Sequence, residues 1–102
     1  MENKITYRNR KLLDLAHDMP CMATFEHQCF GYLGCDPAHS DSYVFGRGAG
    51  HKSHDFAFAA MCNNAHMELD RFCDKELKEA EWLRAHVKTQ EYLWSNGLIK
   101  VA

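Results

Sequence analysis

The sequence predicts a small α+β domain with an N-terminal helix, a hairpin that carries a long loop, and two C-terminal helices. Three observations favour this class. A chain of 102 residues suffices for one domain with a modest core, spanning residues 1–102, and no repeat or domain boundary is visible. A polar, glycine-rich stretch precedes a short apolar run that is typical of a buried strand. The C-terminal third shows apolar residues at helical spacing.

The first third predicts a helix followed by irregular chain. From Thr6 to Asp18 the apolar residues fall on one side and the cationic residues elsewhere, which indicates a short helix ended by Pro20. We expect an extended or looped segment over Cys21–Cys29. The glycine-punctuated segment Phe30–Asp36 should then turn into a strand near Ala38–Ser40.

The middle of the chain predicts the second half of the hairpin and the helix that follows it. Ser40–His54 is polar and glycine-rich, hence a long loop, and Phe56–Ala60 is short, bounded and partly aromatic, hence a buried strand. Asn63 or Asn64 is predicted to cap the next helix, because an Asn side chain accepts from the free N–H groups of a first turn. That helix should end at about Asp74.

A last helix is predicted from about Lys75 to Ser95. Gly97 suits the position that follows a helix, where the backbone turns left-handed. We expect this helix to bury an apolar stripe formed by Leu77, Ala80, Leu83, Val87 and Leu93 or Trp94.

Composition narrows the functional classes. The net charge of −2 argues against a histone-like, purely electrostatic nucleic-acid binder. A signal peptide and a run of about 20 apolar residues are both missing from the sequence, so we expect no membrane partner. Seven histidines and five cysteines exceed what packing needs. Without a secretory signal, thiols or metal ligands are a better interpretation of the cysteines than a disulfide framework.

Two residues of the predicted second helix have metal-ligand spacing. His66 and Asp70 lie four apart, so a helix places both on one face, close enough to hold one ion. The hairpin is able to bring His39 opposite that face, which is the layout of a site that cuts phosphodiesters. In the glycine-rich loop, Arg47 and Lys52 are cations suited to contact phosphates or the charge of a transition state. The ordinary alternatives are an exposed helical pair and a solvated loop.

Over nearly its full length the chain resembles the YbcO-like nucleases of phages and prophages, within the HNH (His-Me finger, ββα-metal) endonuclease superfamily. The order and spacing of several short motifs carry the resemblance. They are Cys21-x7-Cys29, Ala38-His39, Gly48-x-Gly50-x-Lys52-x-x-Asp55, Cys62 with His66, and Trp94-x-x-Gly97-x-Ile99-Lys100. The resemblance implies a ββα-metal domain in which a hairpin presents a histidine base and a helix supplies metal ligands.

Position by position, the resemblance implies a catalytic set. His39 matches the base that deprotonates water, and Asp55 the middle residue that orients the base. His66 and Asp70 match the helical ligands, and a carboxylate there favours Mg²⁺ or Mn²⁺. Many relatives carry a metal-binding Asp or His before the base, whereas this chain has Ala38.

The resemblance also implies a structural zinc. Cys21, Cys29 and Cys62 occupy positions that supply three thiolate ligands of a tetrahedral site. Relatives take the fourth ligand from the position that is Ala65 here, so the fourth ligand is open. Three residues are possible substitutes: Cys35, Cys73 and His66. The alternative is that the cysteines are buried thiols and the zinc is lost.

Together these observations predict a metal-dependent endonuclease that hydrolyses DNA, acting in phage recombination or DNA processing in the bacterial host cytoplasm. Lys52 joins His39 and Asp55 as a candidate catalytic residue. The competing hypothesis is a non-catalytic, zinc-stapled module that binds DNA or protein. Whether the chain is a monomer or a homodimer stays open.

Overall fold

The computed structural model describes residues 7–40 and 53–101, which form three α-helices, a two-stranded sheet and two 3₁₀ turns. The predicted α+β class is confirmed. In chain order the elements are α1 (Arg10–Asp14), the 3₁₀ turns Leu15–Asp18 and Gly31–Leu33, β1 (Asp36–His39), β2 (Phe58–Met61), α2 (Asn63–Asp70) and α3 (Lys75–Ser95).

The N-terminal helix is shorter than the predicted Thr6–Asp18. Asn9 is its N-cap, and the Asn9 side-chain oxygen accepts a hydrogen bond from the Leu12 N–H at 3.1 Å. The backbone N–H of Asn9 donates instead to the carboxylate of Asp55, at 2.6 Å. These contacts fix the start of α1 at Arg10, and its last turn tightens into the first 3₁₀ turn.

The two strands pair antiparallel, with Asp36 opposite Met61 and His39 opposite Phe58. Both are offset by about two residues from the predicted Ala38–Ser40 and Phe56–Ala60. Phe56 lies in a turn, closed by a hydrogen bond of 3.0 Å from the Ala57 N–H to the His54 carbonyl. A residue held in that turn cannot also extend, so β2 begins at Phe58.

β2 lies in the middle of the core. All four of its side chains are buried, and α3 packs across it. Beyond the sheet, the chain after Pro20 runs alongside β2, since the Met22 N–H donates to the Ala60 carbonyl at 2.8 Å. β2 therefore connects the irregular segment, the hairpin and the long helix.

The cap of α2 is a cysteine, so the prediction of Asn63 or Asn64 is wrong. Cys62 is the N-cap, and its sulfur accepts a hydrogen bond from the Ala65 N–H at 3.4 Å. Asn64 instead donates its side-chain N–H to the Gln28 carbonyl, at 2.8 Å. A thiolate or thiol at this position satisfies a free N–H of the first turn as an Asn oxygen would.

The break between α2 and α3 lies earlier than predicted, at Asp70 rather than Asp74. Asp74 is the N-cap of α3, because its carboxylate accepts from the N–H groups of Glu76 and Leu77 at 2.9 and 3.1 Å. The bounds of α3 match the prediction. Gly97 follows it in the left-handed region, with φ of 66°.

The buried face of α3 agrees with the predicted apolar stripe at Leu93, is half-buried at Ala80, and otherwise differs from it. Leu77, Leu83, Val87 and Trp94 are each about half exposed, at 49, 48, 49 and 51%. The buried set is Glu81, Trp82, Ala85, Thr89 and Leu93. Hydrogen bonding to the sheet selects this face: the indole N–H of Trp82 donates to the Ala38 carbonyl at 2.8 Å, and Thr89 Oγ1 accepts from the Ala60 N–H at 3.0 Å.

Thr89→Val is expected to lower the free energy of unfolding by about 1–3 kcal/mol, because valine keeps the shape but leaves the buried Ala60 N–H without an acceptor. Urea denaturation followed by circular dichroism measures the change. Thr89→Ser retains the hydroxyl and is the matched control, expected to lie closer to the wild type. A valine variant as stable as the wild type would show that this hydrogen bond does not support the sheet.

Candidate active site and metal centre

Four side chains from two separate parts of the chain converge beside the start of α2. The donor atoms of Cys21, His27, Cys29 and Cys62 all lie within 4.8 Å of one another. Three of them belong to the irregular segment before β1, and the fourth is the N-cap of α2. Three sulfurs and one imidazole nitrogen are a donor set that zinc binds tetrahedrally. This cluster is able to hold a metal ion such as zinc.

His27 is oriented as a ligand by its other ring nitrogen. Its Nδ1 lies 2.8 Å from the Phe25 carbonyl, and since a carbonyl only accepts, Nδ1 carries the proton. Nε2 therefore has its lone pair free and lies 3.7 Å from the Cys21 sulfur. Ordinary Zn–S and Zn–N bonds at a tetrahedral angle separate the two donors by about 3.6 Å. The backbone hydrogen bond is the kind that fixes the tautomer of metal-binding histidines.

Hydrogen bonds stabilise the thiolate form of Cys21. The thiol of Cys35 donates to it, and so does the backbone N–H of Cys62, whose nitrogen is 3.3 Å from the sulfur. These bonds outweigh burial and lower the pKa of Cys21 to about 4. The pKa of Cys35 is raised, because its proton is held by Cys21 and the side chain is buried.

Like-charge repulsion acts on the thiol of Cys29. A backbone hydrogen bond from Gly31 lowers the pKa of Cys29, but burial and the charges of Cys21 and Cys62 outweigh it, so the net shift is upward. Without a cation Cys29 therefore ionises less easily than an ordinary thiol. A Cβ at Gly31 would lie 3.1 Å from the Cys21 Cβ and 3.4 Å from the Cys29 sulfur, so a side chain there would crowd the cluster.

The structure thus brings together the three cysteines that the resemblance assigned to zinc, and adds His27. His27 was not among the predicted ligands. Its signal is the short Cys21-x5-His27-x-Cys29 spacing, which lies in chain without helical or strand periodicity. The residues proposed as the fourth zinc ligand lie outside this group of four. Cys35 donates a hydrogen bond to the cluster, and Cys73 is exposed near the Arg71 carbonyl. His66 is not one of the four grouped residues.

His39 ends β1 and faces a buried carboxylate. Its Nε2 lies 3.6 Å from Asp55 Oδ1, and this nitrogen is buried without a closer hydrogen-bond partner. Asp55 is itself held by the backbone N–H of Asn9 at 2.6 Å and by Arg8 Nη1 at 3.0 Å. These bonds hold the Asp55 carboxylate in place beside the imidazole of His39. Asp55 is the residue that was predicted to orient the base.

Electrostatics keep this pair in the form that base catalysis requires. Burial lowers the pKa of His39, and the attraction of Asp55 offsets only part of that effect. The imidazole is therefore neutral at pH 7. Burial alone would raise the pKa of Asp55, but hydrogen bonds from Asn9 and Arg8 lower it overall, so the carboxylate is ionised.

The predicted helical ligands both lie on α2, but in different surroundings. His66 is close enough to His39 for its charge to lower the pKa of His39. Asp70 is the last residue of α2, and its carboxylate, 62% exposed, lies 3.6 Å from Lys78 Nζ of α3. A metal ion at Asp70 would have to compete with this ammonium.

Two predicted residues, Arg47 and Lys52, lie outside the described residues, as does most of the predicted loop. Comparison with known protein families, with curated proteins and with solved structures gave no match. In the described part of the chain, every helix is too short or too polar to span a membrane.

Proposed function

We propose that this protein is a metal-dependent endonuclease that hydrolyses DNA phosphodiester bonds. The observation that supports it best is a neutral histidine at the end of a hairpin strand, braced by a buried carboxylate and facing the helix that follows the hairpin. A strand histidine, its orienting acid and a helix with candidate ligands are the parts that a metal-assisted hydrolase needs.

In this proposal His39 acts through Nδ1. Its Nε2 faces the ionised Asp55, so the proton resides on Nε2 and the lone pair on Nδ1 is free to take a proton from water. The resulting hydroxide attacks phosphorus, the bond from phosphorus to the 3′ oxygen breaks, and the leaving oxygen takes up a proton from water. A divalent ion at His66 and Asp70 would neutralise charge on the phosphate and the leaving oxygen.

The cysteine–histidine cluster has a separate, structural role in this proposal. It would connect the irregular segment at Cys21–Cys29 to the start of α2 through Cys62. Because β2 ends and α2 begins at that point, a zinc there would anchor the irregular segment to the junction of the hairpin and the helix. The positions of His39 and His66 would then depend on the integrity of the cluster.

Supercoiled plasmid tests the activity. The purified protein should convert it to nicked circles with Mg²⁺ or Mn²⁺, and EDTA added before the reaction should stop the conversion. A His39→Ala protein prepared in the same way excludes a contaminating nuclease. Absence of nicking with every divalent ion tested would overturn the proposal.

Two observations favour the second candidate, a zinc-stapled binding module without catalysis. Ala38 is buried and offers no ligand where many of the HNH nucleases that the sequence resembles carry one, and the Asp70 carboxylate pairs with Lys78. A module of this kind would retard DNA in a gel and leave it uncut under conditions in which the endonuclease would nick it.

Asp70→Asn is expected to raise the Mg²⁺ concentration for half-maximal cleavage several-fold, because an amide is a poorer ligand for a hard cation than a carboxylate. A metal titration of the nicking rate measures it. Glu68→Gln, on the same helix and paired with Arg71, is the control and should leave the titration unchanged. An unchanged titration for Asp70→Asn would place the ligand elsewhere.

A further inference from the structure

Three aromatic side chains form an exposed cluster on both sides of Asp55. The rings of His54 and Phe56 are stacked, with centroids 5.0 Å apart and planes 10° apart. The ring of Tyr7 is tilted against Phe56 at 5.9 Å. Tyr7 and Phe56 remain 43 and 42% exposed, although residues of this size are usually buried in a core.

The cluster is held in place by hydrogen bonds. The Tyr7 N–H donates to His54 Nδ1 at 3.0 Å, and the Asp55 N–H donates to the Tyr7 carbonyl at 2.9 Å. Between them these bonds join two segments that lie far apart in the chain. The rings are therefore presented in a fixed arrangement, which reduces the entropy lost when a ligand stacks on them.

The surroundings indicate what would stack there. Asp55, between His54 and Phe56 in the sequence, contacts His39, so the chain that carries two of the rings passes next to the proposed catalytic base. Arg8, next to Tyr7, is 46% exposed and uses one nitrogen, Nη1, to bind Asp55 and Ser53. A guanidinium has further N–H groups that are able to contact a phosphate. Aromatic faces next to a cation are the features with which proteins bind unpaired nucleotides.

We propose that Tyr7, His54 and Phe56 bind an unpaired base, so that the DNA recognised by this site has a single-stranded segment beside the cleaved bond. The proposal rests on the proposed function for its choice of DNA. In a duplex the base faces are covered by their neighbours, so only an unstacked base offers a ring to this cluster. The geometry thus favours frayed, branched or single-stranded DNA over continuous duplex.

Fluorescence anisotropy with a fluorescein-labelled 15-nucleotide single strand and the matching duplex tests this, without added divalent ion or chelator. We expect the single strand to bind more tightly than the duplex. The double variant Tyr7→Leu/Phe56→Leu replaces the two exposed rings of the cluster. It should weaken single-strand binding by roughly 5- to 150-fold, the range for loss of one stacked base. Duplex binding should change little.

Two control variants separate stacking from general damage. Phe56→Tyr keeps a ring and should bind the single strand as the wild type does. Trp94→Leu removes an exposed aromatic on α3 and should have no effect. Thermal melting shows whether each variant is folded, and Phe56→Leu alone replaces the double variant if that one unfolds. Equal binding of single strand and duplex, or unchanged binding after loss of the rings, would overturn the proposal.

The nicking assay keeps the two proposals distinguishable. If the protein nicks plasmid but the variants without the rings bind the single strand as the wild type does, the stacking site is refuted and the endonuclease proposal stands. Ring-dependent binding of the single strand without nicking supports the stacking site in a protein that binds DNA and does not cut it.

Discussion

Protein purified without added zinc is expected to carry about one equivalent of zinc, and Cys62→Ser is expected to leave the chain largely unfolded. Cys62 is fully buried, its sulfur is grouped with three other donors, and it also caps α2. A domain of 102 residues has little core to offset the loss of a structural metal, whose binding energy contributes directly to folding. Metal analysis and thermal melting measure the two effects.

Cys73→Ser is the matched control for the zinc prediction. Cys73 is exposed and lies outside the cluster, so its replacement should leave both the zinc content and the melting temperature unchanged. His27→Ala should lower the zinc content and the melting temperature, because it removes the one nitrogen donor of the cluster. Protein that carries no zinc and melts identically with a strong chelator would show that the cysteines are ordinary core thiols.

His39→Ala is expected to lower the nicking rate by about 10²–10⁴-fold, the usual contribution of a general base. Fold and DNA affinity should stay close to those of the wild type, because the His39 side chain is part-exposed and its replacement leaves Asp55 bound by Arg8 and Asn9. Single-turnover cleavage of plasmid measures the rate. His17→Ala removes an exposed histidine outside the site and should cleave normally.

The pH dependence of cleavage gives a second readout of the same residue. The ordinary histidine pKa is 6.5, and burial lowers that of His39, so the neutral base persists below this pH. Cleavage should therefore be sustained from pH 7 down past 6.5 and then fall as the ring is protonated.

A loss of less than about tenfold in the cleavage rate of His39→Ala would assign the base to another residue.

The folded arrangement explains why some structural predictions succeeded. The bounds of α3 depend on local signals at its two ends, the capping carboxylate of Asp74 and the left-handed Gly97, which are contained in a few neighbouring residues. The turn at Phe56 was predicted as strand because its residues are apolar and aromatic, and the cap at Cys62 was missed because Asn is a usual capping residue and Cys is not.

For the candidate site, the residue pattern and the family resemblance predicted which side chains would carry the chemistry: His39, Asp55 and His66, and the three cysteines at 21, 29 and 62. The packing of the folded chain decided their partners. Cys62 at the start of α2 meets the segment that carries Cys21, His27 and Cys29. Lys78 of α3 reaches Asp70 of α2 in the same way, through a contact between separate elements. The buried face of α3 was decided in the same way. The sheet needs Thr89 and Trp82 as hydrogen-bond partners, and an unsatisfied buried backbone group costs more than leaving Leu83 and Val87 half exposed.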